Sequence, residues 1–393
     1  MNLAAIGFGN AGSKIIDRFV EFEEESGRSL MTDALAVNSA EIDLAKLNVI
    51  PPDRRLLIGQ TDEQVKGRGV GANPELGADI TRLDLTEIER QLDEVPVHDT
   101  DGFLIVAGLG GGTGSGGAPV LAERLGEIYE EPVYGLGVLP SEDEGGRPSL
   151  NAARSLQTFA DATDNLMLFD NNAWRQIQGS VAAGYERTNW EIARRFVTLL
   201  AAGEIDGSQV SESAMDGSDI RRTLTPGGIS TIAYSQAKLE QTTREQQGLL
   251  GRFRSNGEHH PDDGDLAMKI HGLVRKSVQS RLTCPADISS AERALIVVSG
   301  PPREVSQKGL QRARQWLERE TGSVEVLAGD DPRTDADALS VAVLLSNVTE
   351  VPRVDELQEQ AVTAKESTEK QAEQRDDEID ELLTDDEEKL DPL

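Results

Sequence analysis

Residues 104–117 read Leu-Ile-Val-Ala-Gly-Leu-Gly-Gly-Gly-Thr-Gly-Ser-Gly-Gly, and they decide the fold. The apolar residues 104–107 predict a short buried strand, and residues 118–125 predict a helix with Pro119 in its first turn. A strand, a glycine loop and a helix N-terminus together aim several backbone N–H groups at one anion. The ligand predicted for this loop is a polyphosphate, contacted by Gly108, Gly110, Gly111, Gly112, Thr113, Gly114 and Ser115.

Two other interpretations of the glycine loop are less consistent with its flanks. Glycine and serine also dominate flexible linkers, but linkers are not usually bounded by an apolar strand and an amphipathic helix. A Walker loop needs a lysine directly after a glycine, and the chain contains no Gly-Lys dipeptide. The loop is therefore predicted to bind phosphates mainly through its backbone.

Length and charge limit the possible classes of protein. The 393-residue chain is long enough for two domains, and its formal net charge is −31 at pH 7. Because such a surface repels phosphate groups, neither a nucleic acid nor an anionic membrane surface is an expected partner. The excess of acidic residues suits a protein kept soluble in concentrated salt, which screens charge repulsion.

The remaining composition favours a cytoplasmic protein without a protein-held metal. Cys284 is the only cysteine, so no intrachain disulfide can form. Four histidines and one cysteine show no metal-ligand spacing. No apolar run has membrane-spanning length, so no direct membrane insertion is expected, and the sequence begins with a strand pattern rather than a signal peptide.

A second glycine motif lies near the N-terminus. Residues 7–12 read Gly-Phe-Gly-Asn-Ala-Gly, between a predicted strand (3–6) and a predicted helix (13–25). This spacing matches the dinucleotide fingerprint, but a nicotinamide site usually has an acidic residue after the second strand, where this chain has Asn38. An NAD-dependent oxidoreductase remains an alternative that Asn38 disfavours.

The motifs that follow in the chain suit a nucleotide. Predicted strands at 55–58, 133–139 and 165–169 each precede a polar loop. A long helix is predicted over 181–200, and Tyr185 and Asn189 lie on one face of it. An aromatic ring can stack on a base and an amide can bind a purine edge. A tyrosine at a helix boundary would in isolation be expected to pack on the core, but the surrounding motifs favour binding.

The run Gly-Gly-Gly-Thr-Gly-Ser-Gly at 110–116 resembles the signature loop of the tubulin/FtsZ superfamily of polymerising GTPases. Within that superfamily the chain looks most like the archaeal, tubulin-like CetZ branch. The segments that carry this resemblance are 7–9, Val37-Asn38-Ser39-Ala40, Tyr134-Gly135-Leu136-Gly137-Val138-Leu139-Pro140 and Leu150-Asn151-Ala152-Ala153-Arg154-Ser155.

The resemblance implies a role for each loop at a GTP site. The first loop would contact the phosphates through Gly9, Asn10 and Ala11, with Asn38 nearby. Backbone N–H groups at Gly71, Ala72 and Asn73 would detect the γ-phosphate; alternatively, Asn73 simply caps a helix that has Pro74 at its first position. The remaining contacts implied are Glu144 to the ribose, and Asn171, Tyr185 and Asn189 to the base, with Asn172 as an alternative helix cap.

Asp216 and Asp219 resemble the acidic loop that FtsZ-like proteins use for hydrolysis. The asparagine that FtsZ has two residues earlier is replaced by Ala214. A helix of roughly 20 residues spans about 30 Å, so these acids would act on the nucleotide of the next subunit in a head-to-tail filament. The alternative is that both aspartates only cap a helix.

The sequence of the C-terminal part predicts a second set of alternating strands and helices. A polar insertion over 235–265 contains Glu258-His259-His260-Pro261-Asp262-Asp263, which is interpreted as a linker rather than a metal site. Residues 354–393 carry 16 acidic and 4 basic residues, a net charge of −12. The first part of this tail, to about Thr368, could continue as a helix. Beyond it, like charge at that density predicts disorder, with a short partner-binding motif near the end as an alternative.

The sequence thus predicts an α/β protein of the tubulin/FtsZ fold. Its N-terminal Rossmann-like GTPase domain has a parallel sheet, a long central helix follows, and a smaller C-terminal α/β domain completes it. The predicted parts are 1–180 (GTP-binding domain), 181–203 (central helix), 204–227 (catalytic loop and short helix), 228–350 (C-terminal domain) and 351–393 (acidic tail).

The predicted activity is nucleotide-gated assembly. GTP would be hydrolysed to GDP at the interface between subunits of a head-to-tail homopolymer, with Mg²⁺ held through phosphates and water. The resemblance implies a cytoskeletal role in cell shape, and an adaptor for the acidic tail is a possible further partner. A scaffold that holds GTP without hydrolysing it is the main alternative.

Overall fold

The computed structural model of the chain describes residues 1–174, 181–203, 215–239 and 263–363. The strands in these ranges are β1 (Leu3–Phe8), β2 (Met31–Asn38), β3 (Arg55–Leu57), β4 (Gly102–Gly108), β5 (Val133–Leu139), β6 (Asn165–Asp170), β7 (Ile229–Lys238), β8 (Ala291–Gly300), β9 (Glu325–Pro332) and β10 (Ala338–Val348).

The helices in the same ranges alternate with the strands for most of the chain. They are α1 (Gly9–Ser26), α2 (Glu41–Leu44), α3 (Pro74–Leu83), α4 (Leu85–Leu92), α5 (Thr113–Ile128), α6 (Gly146–Asp161), α7 (Asn171–Trp174), α8 (Val181–Leu200), α9 (Gly217–Leu224), α10 (Asp263–Ser280), α11 (Gln307–Thr321) and α12 (352–363).

The strands form one sheet in the order β3-β2-β1-β4-β5-β6-β7-β10-β8-β9. Strands β1 to β6 are all parallel, so their carboxyl ends lie at one edge. The strand order reverses between β1 and β4, and ligands of doubly wound sheets bind at such a point. The predicted Rossmann-like arrangement is confirmed, and the two glycine motifs follow the two strands that flank the switch point.

The junction between the N-terminal and C-terminal strands is short. β6 and β7 pair in parallel at only two positions, Leu166 with Ile229 and Met167 with Ser230. The side-chain amide of Asn165 adds hydrogen bonds there to the carbonyls of Leu224 and Gly227. Beyond the junction, β10 runs antiparallel to both β7 and β8, and β9 is parallel to β8.

Helix α8 occupies the range predicted for the central helix. It packs on α1, where the rings of Phe19 and Phe196 stack with their centroids 6.4 Å apart. Phe22 and Trp190 make an edge-to-face contact with centroids 5.9 Å apart. Because α1 and α8 are packed side by side, residues from both helices can reach the same ligand.

Helices α1 and α5 begin earlier than the sequence predicts, at Gly9 and at Thr113. Gly9 has a φ of +73°, which glycine adopts without strain, so the chain turns from strand to helix in one residue. Pro119 therefore lies inside α5 rather than in its first turn. The ring removes the N–H that would bond to the Ser115 carbonyl, and the Ser155 hydroxyl donates to that carbonyl instead, at 2.7 Å.

Several sequence predictions concern residues that the structure does not describe. Ala214, residues 240–262 of the predicted insertion and residues 364–393 of the acidic tail lie outside the described residues. The limits predicted for the insertion, 235–265, were wrong at both ends, because residues 235–238 continue β7 opposite β10 and residues 263–265 begin α10. The first part of the tail region forms α12, as its composition allowed. Among the described helices, none is both long and apolar enough to cross a bilayer.

Candidate nucleotide-binding site

A cleft of about 990 Å³ lies at the carboxyl edge of the parallel strands. Its volume is in the range of small-molecule and cofactor sites. Sixteen of the eighteen residues predicted to contact the nucleotide line it. They are Gly9, Asn10, Ala11, Asn38, Gly71, Ala72, Gly108, Gly110, Gly111, Gly112, Thr113, Gly114, Glu144, Asn171, Tyr185 and Asn189.

Asn73 and Ser115 do not line the cleft. The Asn73 side chain caps α3 by accepting hydrogen bonds from the N–H groups of Glu75 and Leu76, and its own N–H donates to the Val70 carbonyl. The capping alternative therefore describes its side chain, and its N–H is already paired. The Ser115 hydroxyl is buried and donates to the carbonyls of Gly111 and Gly112.

Asn38 lines the cleft and is almost fully buried. Its side-chain oxygen accepts hydrogen bonds from the N–H groups of Ser39 and Ala40, at 2.8 and 3.3 Å. Its amide nitrogen is buried and has no hydrogen-bond partner among the described residues. Because an unpaired buried donor is costly, this nitrogen fits a site completed by an acceptor on a ligand.

The loop over 66–73 is held in an unusual backbone conformation beside the signature loop. Five of its residues have positive φ, and two of these, Lys66 (+38°) and Ala72 (+57°), are not glycine. Its position is fixed by a hydrogen bond from the Gly69 N–H to the Ser39 carbonyl, at 3.0 Å. The hydroxyls of Ser39 and Thr113, 2.6 Å apart, join that point to the signature loop.

The predicted ribose and base contacts meet at the other side of the cleft. Tyr185 donates a hydrogen bond to the carboxylate of Glu144, and the pKa of Tyr185 is raised, mainly by burial and then by this carboxylate. Glu144 also accepts a hydrogen bond from the Ser141 N–H at 2.9 Å. Two residues predicted separately, one for the ribose and one for the base, are therefore in direct contact.

Asp170, rather than Asn172, caps the helix that follows β6. Its carboxylate accepts from the N–H groups of Asn172 and Ala173, and this fixes the start of α7 at Asn171. The Asn172 amide instead donates to Glu142 at 3.1 Å. Burial raises the pKa of Asp170, and the guanidinium of Arg353 in α12, with its Nε 3.6 Å from the carboxylate, opposes that rise.

Four cations that the sequence reasoning missed also line the cleft: Lys14, Arg18, Lys46 and Arg68. Arg18 is paired with Glu21 and Lys46 with Asp43. Lys14 could have been found, because it lies one helical turn after Asn10 on the same face of α1. Arg68 carries no comparable signal, because its position depends on the fold of loop 66–73.

Asp216 and Asp219 lie outside the cleft, beyond the opposite end of α8. Asp216 caps α9, accepting from the N–H groups of Ser218 and Asp219 at 2.8 and 3.1 Å. Its own N–H bonds to the Asp219 carboxylate, which completes a capping box. A hydrogen bond from the Ser218 hydroxyl is the main cause that lowers the pKa of Asp216.

No group of three histidine, cysteine or acidic side chains among the described residues is arranged to hold a metal ion. Single carboxylates do line the cleft, at Asp17, Asp43, Glu144 and Glu186. Three of these are already engaged: Asp17 accepts from the N–H groups of 48–50, Asp43 pairs with Lys46, and Glu144 contacts Tyr185. This donor set suits a divalent cation held mainly by phosphates and water.

Two family models match consecutive parts of the chain. The model described as the tubulin/FtsZ family GTPase domain matches residues 2–179, and that of the tubulin-like CetZ C-terminal domain matches residues 178–363. Together they extend from β1 to the end of α12. Their boundary falls just before α8.

Individual relatives are similar over almost the whole chain. Tubulin-like protein CetZ1 of Haloferax volcanii is 51% identical over 374 residues, which is 94% of each chain. Tubulin-like protein CetZ3 of the same organism is 48% identical over the full length of both chains.

Two solved structures match closely. The GDP-bound monomer of Haloferax volcanii CetZ1 has a TM-score of 0.81 at 47% identity, covering 93% of this chain and all of that one. The GTPγS-bound protofilament of CetZ2 from the same organism has a TM-score of 0.82 at 38% identity, covering 94% of this chain and all of that one.

Proposed function

The chain belongs to the CetZ branch of the tubulin/FtsZ family, and we propose that it is a cytoskeletal GTPase that binds GTP in the cleft and assembles head to tail. The observation that carries the proposal is the cleft itself, where sixteen of the predicted contacts converge at the topological switch point. The CetZ1 and CetZ2 structures hold GDP and GTPγS, and this supports a guanine nucleotide here.

Different residues around the cleft are suited to bind different parts of the nucleotide. The two glycine loops would bind the phosphates through backbone N–H groups, while Lys14 and Arg68 would add charge. The buried amide nitrogen of Asn38 would donate to an oxygen of the ligand. At the other side, Tyr185 would stack on the base, with Asn171 and Asn189 at its polar edge and Glu144 at the ribose.

Mg²⁺ would be bound by the phosphates and by water, with at most one carboxylate from the cleft. It would neutralise charge on the phosphates. Held in this way, the metal would leave with the nucleotide rather than stay on the protein.

Hydrolysis is proposed to be completed by the next subunit. Asp216 and Asp219 follow α8, whose 20 residues span about 30 Å, so they do not reach the cleft of their own chain. In a head-to-tail filament the same loop would meet the terminal phosphate of a neighbour. The CetZ2 protofilament supports such an arrangement for a relative.

The lowered pKa of Asp216 limits what it can do. A carboxylate that is held ionised is a poor proton acceptor at neutral pH, so we propose that Asp216 orients and polarises the attacking water. Asp219, at the first turn of α9, would help Asp216 to orient the water and would also complete the helix cap.

A mixing experiment tests completion by the neighbour. One variant, Asp216→Asn with Asp219→Asn, keeps the helix cap but removes both charges. The other, Gly111→Asp, places a carboxylate where phosphate should bind; a Cβ at Gly111 meets only the Gly108 carbonyl, 3.9 Å away, so folding is preserved. Assayed by itself, neither variant should release phosphate from GTP.

An equimolar mixture should recover about one quarter of the wild-type rate, because about one interface in four joins an intact cleft to intact acids. A mixture that co-assembles but stays inactive would contradict hydrolysis across the interface. If wild-type filaments bind GTP and release no phosphate, the chain is instead a nucleotide-bound scaffold. The family match leaves the oxidoreductase interpretation without support.

The cellular role proposed is control of cell shape in the cytoplasm, with an adaptor for the acidic tail as a possible partner. A deletion strain should change in shape while still dividing. Division failure at unchanged shape would contradict this assignment.

A further inference from the structure

A buried amide joins the two loops that would surround the terminal phosphates. Asn151, in the first half of α6, is 5% exposed. Its side-chain nitrogen lies 3.1 Å from the Ala72 carbonyl oxygen, 3.1 Å from that of Gly110 and 3.2 Å from that of Gly111. One side chain therefore contacts both loop 66–73 and the signature loop.

The chemistry of the three partners fixes which way the amide faces. Carbonyl oxygens only accept hydrogen bonds, so the amide oxygen in the same place would oppose three acceptors. The two hydrogens of the nitrogen serve three carbonyls, and one hydrogen is shared. No other side chain type of this size offers two donors from one neutral atom.

These hydrogen bonds determine where the neighbouring N–H groups point. In a trans peptide the N–H is directed opposite to the C=O. With the carbonyls of Gly110 and Gly111 turned toward Asn151, the N–H groups of Gly111 and Gly112 point away from α6, and both residues line the cleft. The third bond holds the carbonyl of Ala72, whose φ of +57° is costly for a residue other than glycine.

We propose that Asn151 is a positioning residue that locks loop 66–73 to the signature loop, so that the two loops bind the γ-phosphate as one unit. It does not touch the nucleotide. This inference rests on the proposed function, because it assigns a residue to recognition of the triphosphate in the same cleft. Ser155, one turn later on the same face, supports the signature helix in parallel through the Ser115 carbonyl.

The proposal predicts an effect that depends on the γ-phosphate. Without the link, loop 66–73 relaxes from its strained conformation and contributes less to binding of the terminal phosphate. The variant Asn151→Asp keeps the shape of the side chain, loses both donors and sets a negative charge against three carbonyls. Its affinity for GTPγS should fall by about tenfold more than its affinity for GDP, the loss that corresponds to one buried hydrogen bond.

The pH provides a readout that simple packing would not change. A carboxyl buried among carbonyl oxygens has a raised pKa, and once protonated it can donate one O–H. The excess loss of GTPγS affinity in Asn151→Asp should therefore shrink between pH 8 and pH 6. Asn151→Ser, which keeps one neutral donor, should lie between the wild type and Asn151→Asp and should show no such pH dependence.

The control is Gln157→Glu, which adds the same charge on an exposed part of α6 and should leave both affinities unchanged. Equal losses for GTPγS and GDP in folded Asn151→Asp and Asn151→Ser would overturn the proposal, since they would indicate general support of the site. Wild-type affinities in both variants would also overturn it. A wild-type protein that binds neither nucleotide would instead refute the proposed function.

Discussion

At the residue scale, two glycines of α5 differ in the space around them. A Cβ on Gly116 would lie 1.9 Å from the Pro74 carbonyl oxygen and 2.8 Å from the Ala78 nitrogen, both backbone atoms of α3. A Cβ on Gly126 would have no atom within 4 Å. The signature glycines thus serve two purposes, access of the backbone to a ligand and close contact between α3 and α5.

The two alanine variants should therefore change stability in opposite directions. Gly116→Ala should lower the free energy of unfolding by about 3 kcal/mol, because a backbone carbonyl cannot move aside as a side chain can. Gly126→Ala should raise it by about 0.5–1 kcal/mol, since alanine loses less entropy in a helix. Urea unfolding measures both. Equal values for the two variants would mean that α3 and α5 are not packed this closely.

At the element scale, the start of α5 depends on a neighbouring helix. Pro119 cannot bond to the Ser115 carbonyl, and Ser155 of α6 supplies the missing donor at 2.7 Å. The sequence pattern placed Pro119 in the first turn, because proline is common there. The helix begins at Thr113, five residues before the predicted start at 118, because α6 satisfies the carbonyl that proline leaves free, and no local pattern within α5 contains that information.

A double-mutant cycle isolates this exchange of donors. Ser155→Ala should cost about 1–3 kcal/mol of stability, because the Ser115 carbonyl becomes buried without a donor. In a Pro119→Ala background the restored N–H can bond to that carbonyl, so the same substitution should cost at least about 1 kcal/mol less. Thermal and urea unfolding of the four proteins give the coupling. An additive cycle would show that the hydroxyl and the ring act independently.

Elements were predicted well where strongly apolar strands and a long amphipathic helix were present. β5 and α8 have the predicted bounds, because each is an uninterrupted pattern between polar segments. Helices α4 and α6 were not predicted. α6 follows directly after an acidic turn, and Gly145, with a φ of +92°, joins the two.

At the scale of the whole molecule, the main feature is the large negative net charge and its effect on the stability of the fold. The net charge of −31 is spread over 393 residues, and much of it must be brought closer together when the chain folds. The Debye length falls from about 10 Å at 0.1 M salt to about 3 Å at 1 M, so concentrated salt removes most of the repulsion between distant carboxylates. The Haloferax relatives match this chain along nearly their whole length.

Stability should accordingly increase with salt. Raising KCl from 0.1 to 2 M should raise the midpoint of thermal unfolding by at least about 5 °C, a change of about 4 kcal/mol for a chain of this size. Sucrose at a matched osmolality controls for effects other than screening. A midpoint that rises equally in sucrose, or not at all in KCl, would contradict the electrostatic explanation.

The residues that line the site were more predictable from the sequence than the side-chain contacts that join them. Residues such as Gly9, Asn38 and Thr113 lie at or shortly after strand ends, and parallel strands bring those ends to one edge whatever the remaining sequence. By contrast, the contact between Tyr185 and Glu144 and the link made by Asn151 join segments that are distant in sequence. Such contacts depend on the packing of α6 and α8 against the sheet, which periodicity does not encode.

The short junction of β6 with β7 has a consequence for recombination between family members. Only two strand pairings cross it, but side chains also join the two halves: Trp174 donates to the Leu282 carbonyl, Arg353 donates to the Pro140 carbonyl, and Arg28 pairs with Asp331. A gene that fuses the first half of one relative to the second half of another has to preserve these contacts as well as the strand pairing. Shuffled proteins should therefore fold only where both parents carry the same partners, so the two halves are expected to change together at these positions.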